Sequence, residues 1–354
     1  MGVTMLETNG SRSMMDSLEH KWRMFRLVRR TNGLSTAMCE VFYHCCTPFI
    51  YGYTKLSWWW HRTRGLTSLS ILGNQLSLYP KDKGVSIELA VYRVHEPCTS
   101  RLLAQCLEPG MTVIDVGCNI GYYALLEAQR VGPTGRVIAI EPEPTNARLF
   151  LHNVQANGYQ NIVFHQVAIS DRNGTSSLRI SEKSNRHSLN PVPWPTTAVE
   201  VPVRTLDSLI EEDPPESVDL VRMDLEGHEV MVLSGMLHTI QRYSPRLVIE
   251  IHPDILGAEA VEQWLHALKA LGYKPDWVFD QERDVPFRWR FLRPETPAMD
   301  ELISDPRIHS EPKRPLMAFF SRNHSVGVPL SQTDSALPQH LPLTADNSST
   351  VCTE

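Results

Sequence analysis

The stretch that decides the fold is Val113-Ile114-Asp115-Val116-Gly117-Cys118-Asn119-Ile120-Gly121-Tyr122-Tyr123. A short apolar run reads as a buried strand, and the glycine-bearing turn after it hands over to a helix near Tyr123. Gly117 and Gly121 let the backbone approach a ligand closely. The helix N-terminus adds free N–H groups and the positive end of its dipole. The spacing is G-x-x-x-G, with Asn119 where a dinucleotide fingerprint has its middle glycine. An acid such as Asp115 at the mouth suits an ammonium group and not a diphosphate. The pattern therefore predicts a nucleoside carrying an amino-acid arm. Val137-Ile138-Ala139-Ile140-Glu141-Pro142 comes next, with an acid twenty residues past Gly121. A carboxylate there is placed to accept hydrogen bonds from both hydroxyls of a ribose.

The same rhythm runs outward from this point. Strands are predicted at Thr112–Val116, Arg136–Ile140, Ile162–Val167, Val218–Met223 and Leu247–Ile251. Helical periodicity fills Tyr123–Arg130, Pro144–Asn157, Glu229–Tyr243 and Ala258–Leu271. Such alternation predicts an α/β fold, a doubly wound and mostly parallel sheet with helices on both faces. An excursion at 172–210 is predicted to carry strands at Ser176–Ile180 and Glu200–Arg204. Its middle, Asn190-Pro191-Val192-Pro193-Trp194-Pro195, alternates prolines and predicts an exposed loop, where Trp194 could wall a substrate. Residues 275–280 and 316–320 can supply two last strands, for seven in all. Upstream, Leu69–Leu72 and Gln75–Tyr79 flank Gly73-Asn74 as a hairpin signal, and Glu88–Leu107 reads as one helix.

Composition limits the rest. The 354 residues carry a net charge of −6, so no global basic field exists to collect nucleic acid. No apolar run is long enough for a transmembrane helix, and the N-terminus lacks a secretion signal pattern. Seven irregularly spaced cysteines draw neither a disulfide framework nor a zinc site, and a cytoplasmic location is expected. Three regions are expected: a basic, aromatic-rich extension over 1–65, a domain over 66–321 with its core at 66–280, and a tail over 322–354. The extension holds nine Lys/Arg against four Asp/Glu. Packed helices being the commoner object, it is expected to pack its Trp and Phe onto the domain. The other reading is an amphipathic helix resting peripherally on an anionic membrane.

Asp115 through Gly121 with Glu141-Pro142 resembles the cofactor site of class I S-adenosylmethionine-dependent methyltransferases. Together with Met223-Asp224-Leu225-Glu226-Gly227-His228-Glu229, the set resembles the FkbM family. So do Leu107-Glu108-Pro109-Gly110, Ala168-Ile169-Ser170-Asp171 and Ile249-Glu250-Ile251-His252-Pro253. The resemblance covers about residues 66–280. This chain departs from the family pattern at Cys118, Arg222 and Ala124, where alanine, lysine and threonine are usual. The resemblance implies a Rossmann-like seven-stranded domain and S-adenosyl-L-methionine as cofactor. It implies that Asp115, Gly117, Asn119 and Gly121 hold the methionine arm, Glu141 the ribose, and Val167 and Ala168 the adenine edge. Glu96, matched to an acid on the helix before the first strand, would lie near the methionine end.

Methyl transfer needs an aligned nucleophile, a dry site and, for a hydroxyl, a base. Candidates for these roles end the central strands: Asp224, Glu226, Glu250 and His252. Histidine has a proton affinity suited to a base near neutral pH. An oxygen-rich metal site at Asp224 with Glu250 or His252 is conceivable, but the paired Asp–Asn spacing of metal-dependent relatives is missing, so no metal is expected. The FkbM resemblance implies O-methylation of a sugar, glycolipid or secondary metabolite. An N-methyltransferase, an aminopropyl-type transferase or a non-catalytic binding module stays open, and an NAD-dependent dehydrogenase is disfavoured by the missing glycine.

Overall fold

The computed structural model describes residues 38, 42, 43, 45–61, 63, 68–192, 196–286 and 288–322. Pro193, Trp194 and Pro195, the first 37 residues and the expected tail from 323 onward lie outside the described residues.

The chain opens with a helix over 45–61 (α1), then the hairpin strands β1 (Ser68–Ile71) and β2 (Asn74–Ser77). Helices α2 (Val85–Tyr92) and α3 (Pro97–Cys106) lead to β3 (Thr112–Val116), α4 (Tyr122–Val131), β4 (Arg136–Ile140), α5 (Pro144–Asn157) and β5 (Ile162–His165). The excursion holds β6 (Ala168–Ile169), β7 (Gly174–Ile180) and β8 (Thr197–Arg204), followed by α6 (Leu206–Glu212). The chain then returns through β9 (Leu220–Met223), α7 (Glu229–Ser234), α8 (Leu237–Tyr243) and β10 (Arg246–Ile251). After α9 (Pro253–Leu256), α10 (Ala258–Ala270) and β11 (Tyr273–Asp280) come α11 (Met299–Ile303), α12 (Pro306–His309) and β12 (Leu316–Arg322).

Seven of these strands form one sheet in the order β11-β12-β10-β9-β3-β4-β5. Strands β10, β9, β3, β4 and β5 run parallel, while β12 is antiparallel to both β10 and β11. Alternation along each buried strand divides the core between the two faces. Val113, Val137 and Ala139 meet Leu103, Leu125 and Phe150 on one side. Ile114, Ile138, Val221 and Ile249 meet Ile240, Leu265 and Leu302 on the other.

The predicted strands lie within a few residues of the observed ones, but several expectations need correction. The hairpin turns at Leu72-Gly73, not Gly73-Asn74: both turn residues have positive φ, and Ile71 pairs with Asn74. Asn74 is buried and accepts a hydrogen bond from the Tyr159 hydroxyl, so it belongs to the packed strand. The single helix expected over 88–107 is broken at Arg93–Glu96. Pro97 disfavours helical backbone at Glu96, which takes a φ of 44° ahead of α3 instead of lying on a helix. The helix expected over 229–243 is likewise two pieces. A Cβ on Gly235 would stand 2.1 Å from the Ser170 carbonyl oxygen, so the chain turns there against the excursion.

Candidate active site

The candidate residues gather where β3, β4, β9 and β10 end at their C-terminal edge. That edge is where open α/β sheets bind ligands. Gly117 leaves β3 at a φ of 85°, and a Cβ there would lie 2.6 Å from the Asp224 carbonyl oxygen at the end of β9. Only glycine satisfies both the conformation and the approach. The Gly117 and Cys118 amides donate to the Ile140 carbonyl, fixing the turn against β4. Asn153 of α5, wholly buried, donates to the Ile120 carbonyl and clasps Ser77 of the hairpin from the same side chain.

Glu141 sits beside this turn. One of its carboxylate oxygens accepts from the Asn119 amide at 3.0 Å and the other from the Glu143 amide at 2.8 Å. Burial pushes its pKa up to about 7 against those backbone donors. Two oxygens with one donor each retain acceptor capacity for a vicinal diol. Val167, Ala168 and Ile169 complete this end of the cleft.

The other end is acidic. Asp224 follows β9, Glu226 takes a φ of 49° in the turn, and Glu250 lies in β10. Burial pushes the pKa of each up to about 7, helped by repulsion between them. His252 stands among them, its Nε2 3.4 Å from Glu250 and 3.7 Å from Glu226, its Nδ1 3.3 Å from Glu229. Burial opposes its charge, but Glu250 and Glu229 outweigh it and hold its pKa well above the usual value. Asp224, Glu226 and His252 bring donor atoms within 4.8 Å of one another, as do Glu96, Asp224 and Glu250. The structure thus assembles oxygen donors that the sequence reading had left without a metal.

Asp115 needs a correction. It does not line the cleft; it is wholly buried beneath it, bonded to Arg222 Nη1 at 3.0 Å. Arg222 reaches on toward Asp224 at 3.6 Å and lies 3.9 Å from the centre of the Tyr123 ring. Tyr123 in turn donates to Glu96, and His95 faces the same carboxylate at 3.2 Å. Burial opposes the Glu96 charge, but His95 and Arg222 outweigh it and hold its pKa down at about 2.

Three residues that shape the candidate site escaped the sequence reading. Glu229, almost wholly buried, accepts from the Leu225 and Gly227 amides and so shapes the acidic turn. Arg222 appeared there only as a departure from a family pattern, yet a cation inside the apolar strand Leu-Val-Arg-Met is itself a signal of a buried partner. Asp82 gave no signal. It accepts from Gly84, Ser86 and Ser184 and straps residues 181–190 over the cleft. At the far end of that strap, Asn190 bonds the Gly227 carbonyl and His228, and Ser188 bonds the Glu226 carbonyl.

Five parallel strands extended by the antiparallel pair β11 and β12, with β12 slotted inside the sheet, give the Rossmann-like fold of the class I methyltransferases, the class that uses S-adenosylmethionine. The donor set fits that cofactor, with a carboxylate for a ribose at one end and net negative charge for a cationic sulfonium and ammonium at the other. Residues 115–275 match the family model described as methyltransferase FkbM domain, and it is over this segment that the chain is similar to that family. The chain is 26% identical over 176 residues to the 2-O-methyltransferase NoeI of Sinorhizobium fredii, covering 45% of this chain and 70% of that protein. It is 28% identical over 160 residues to the hexuronic acid methyltransferase AglP of Haloferax volcanii, covering 44% of this chain and 62% of that one. The solved structure of a methyltransferase FkbM from Methylobacillus flagellatus aligns with 51% of this chain and 46% of its own, at 19% identity and a TM-score of 0.32.

Proposed function

We propose that the chain methylates a hydroxyl of a sugar, free or within a glycan or glycolipid, and that Asp224 takes the hydroxyl proton. One observation carries this reading. Asp224 and Glu226 line one end of a cleft whose other end holds Glu141, and Glu250 and Glu96 bring carboxylate oxygens within 4.8 Å of Asp224. The similarity to proteins named 2-O-methyltransferase and hexuronic acid methyltransferase supports an oxygen acceptor on a sugar.

The bound cofactor supplies an already activated methyl group. The protein's own residues do the remaining work. Glu141 accepts the ribose hydroxyls, the 117–121 backbone lies along the methionine arm, and Val167 and Ala168 edge the adenine. Glu96, held charged, faces the methionine end. Asp224 lines the cleft and is anchored by Arg222, so it is the cluster member best placed to accept the acceptor's proton. Glu226, Glu250 and His252 are positioning residues in this reading. Burial raises the Asp224 proton affinity into the useful range, Glu226 and Glu96 add to it, and Arg222 and His252 act against it. The 181–190 strap excludes water from the reacting atoms.

The test is Asp224→Asn, which keeps size and removes the base. A general base is worth about 10²–10⁴-fold. The variant is expected to lose kcat by that order while cofactor affinity stays within a few-fold. An unchanged kcat would remove Asp224 from the proton transfer.

A further inference from the structure

The basic N-terminal extension is the one motif of the sequence that the methyltransferase site does not absorb. Helix α1 lies against the domain with one face only. Trp58 is buried in the core, Thr54 Oγ1 is 2.6 Å from the Tyr92 hydroxyl, and Arg288 covers the Tyr43 ring at 4.8 Å. The expectation that Phe and Trp would pack inward fails for most of them. Phe42 is 72% exposed, Phe49 81%, Leu56 65% and Tyr53 56%.

These residues form a stripe. At about 100° per residue, positions 42, 45, 49, 53 and 56 fall within roughly 80° of arc, over about 20 Å of helix. Cys45, also exposed, lies on the same stripe, and Trp59 at 59% exposure flanks it. An apolar face of this size turned to water is unusual for a soluble domain.

We propose that this face of α1 docks on an anionic lipid bilayer, with the helix lying in the plane of the interface. Charge selects this occupant. From Val41 to Pro80 the sequence holds Lys55, Arg62 and Arg64 and not one Asp or Glu, and Lys21–Arg30 adds five more cations without an acid. The remaining 289 residues, 66–354, carry 25 cations against 36 acids, so an anionic surface draws the chain in by this end only. Residue type selects it as well. Phe, Tyr and Trp dominate where a helix-pairing seam would need Leu, Ile or Val, and Pro48 and Gly52 interrupt that seam. Among the described residues no helix is long and apolar enough to cross a membrane, so the contact is in-plane.

The test uses the full chain with vesicles of phosphatidylcholine alone and of phosphatidylcholine with 30% phosphatidylserine (a mixing ratio of about 7:3,). The comparison variant is the double substitution Phe49→Glu, Leu56→Glu. Sedimentation with the anionic vesicles is expected, weaker on phosphatidylcholine and weaker in high salt. The variant should lose at least about tenfold in partitioning. It should keep wild-type affinity for S-adenosylhomocysteine, which reports that its domain is intact. Failure of the full chain to bind either vesicle, or equal binding by the variant, would overturn the proposal. So would a concentration-dependent dimer in light scattering that the double substitution dissociates, because a second copy would then own the face.

Discussion

Replacing Glu141 by glutamine separates a ligand role from a structural one. In the free protein the carboxylate is buried and accepts two backbone amides, and burial pushes its pKa up to about 7. Its ordinary value is 4.5. Each tenfold change in proton affinity corresponds to about 1.4 kcal/mol, so holding the charge costs the folded protein on the order of 3 kcal/mol above neutrality. The sign follows from linkage. A carboxyl whose folded pKa is raised binds more protons folded than unfolded, so stability falls as pH rises from about 4.5 to about 7. Glutamine removes that slope. Its NH₂ group, however, faces one of the two amide donors and gives up that hydrogen bond, a loss of about 1–3 kcal/mol. Thermal unfolding should therefore show Glu141→Gln less stable than the parent at pH 5 and close to it at pH 8. Cofactor affinity should behave differently. Charge-assisted hydrogen bonds contribute about 1.5–3 kcal/mol, so calorimetric titration with S-adenosylhomocysteine at pH 8 should show Kd about 10–100-fold weaker. An unchanged Kd would refute the ribose assignment. A loss of affinity matched by an equal loss of stability at pH 8 would show the role to be structural.

The remaining expectations are narrower. Gly117→Ala introduces a Cβ 2.6 Å from a backbone oxygen at a φ of 85°, so cofactor affinity and unfolding free energy should both fall, the latter by more than the roughly 1–2 kcal/mol of left-handed strain alone, as read by denaturant unfolding. The Asp224 carboxyl, raised to about 7 by burial, must be ionised to accept a proton; kcat should therefore rise with pH through about 7 and level off above it, and a flat profile would contradict this. Glu127 is wholly buried with both oxygens unpaired among the described residues, and burial holds its pKa well above the usual value. Glu127→Met should raise the melting temperature, most clearly at alkaline pH, since burial of an unsatisfied carboxyl costs about 1–3 kcal/mol.

How much of this was legible beforehand depends on the range of the interactions involved. The strands themselves, the glycine turn and the acid at the end of β4 are local patterns, and alternating short apolar strands with helices leave few topologies open. The break at Gly235 was not legible because a tertiary contact decides it: Gly235 packs on Ser170, 65 residues away in sequence, whereas the break at Arg93–Glu96 carries a local mark in Pro97. The inward turn of Asp115 had the same origin. A strand-end acid beside a glycine turn reads as facing the ligand until Arg222, on the neighbouring strand, is seen to claim it. His252 read as a base because its type alone suggests one. The three carboxylates facing it, Glu226, Glu229 and Glu250, are brought together only by the fold. The strap held by Asp82 joins residues a hundred apart through backbone amides, which leave no mark on composition or periodicity.

The account stands most directly on the chemistry of its product. The full chain should be incubated with methyl-labelled S-adenosylmethionine and a panel of sugars, including hexuronic acids, glycans and glycolipids. The product linkage should then be read by mass spectrometry and NMR. The account predicts an alkali-stable methyl ether on a sugar hydroxyl, formed by the parent and lost in Asp224→Asn. A methyl ester or N-methyl product would contradict it, and so would turnover that survives the loss of Asp224.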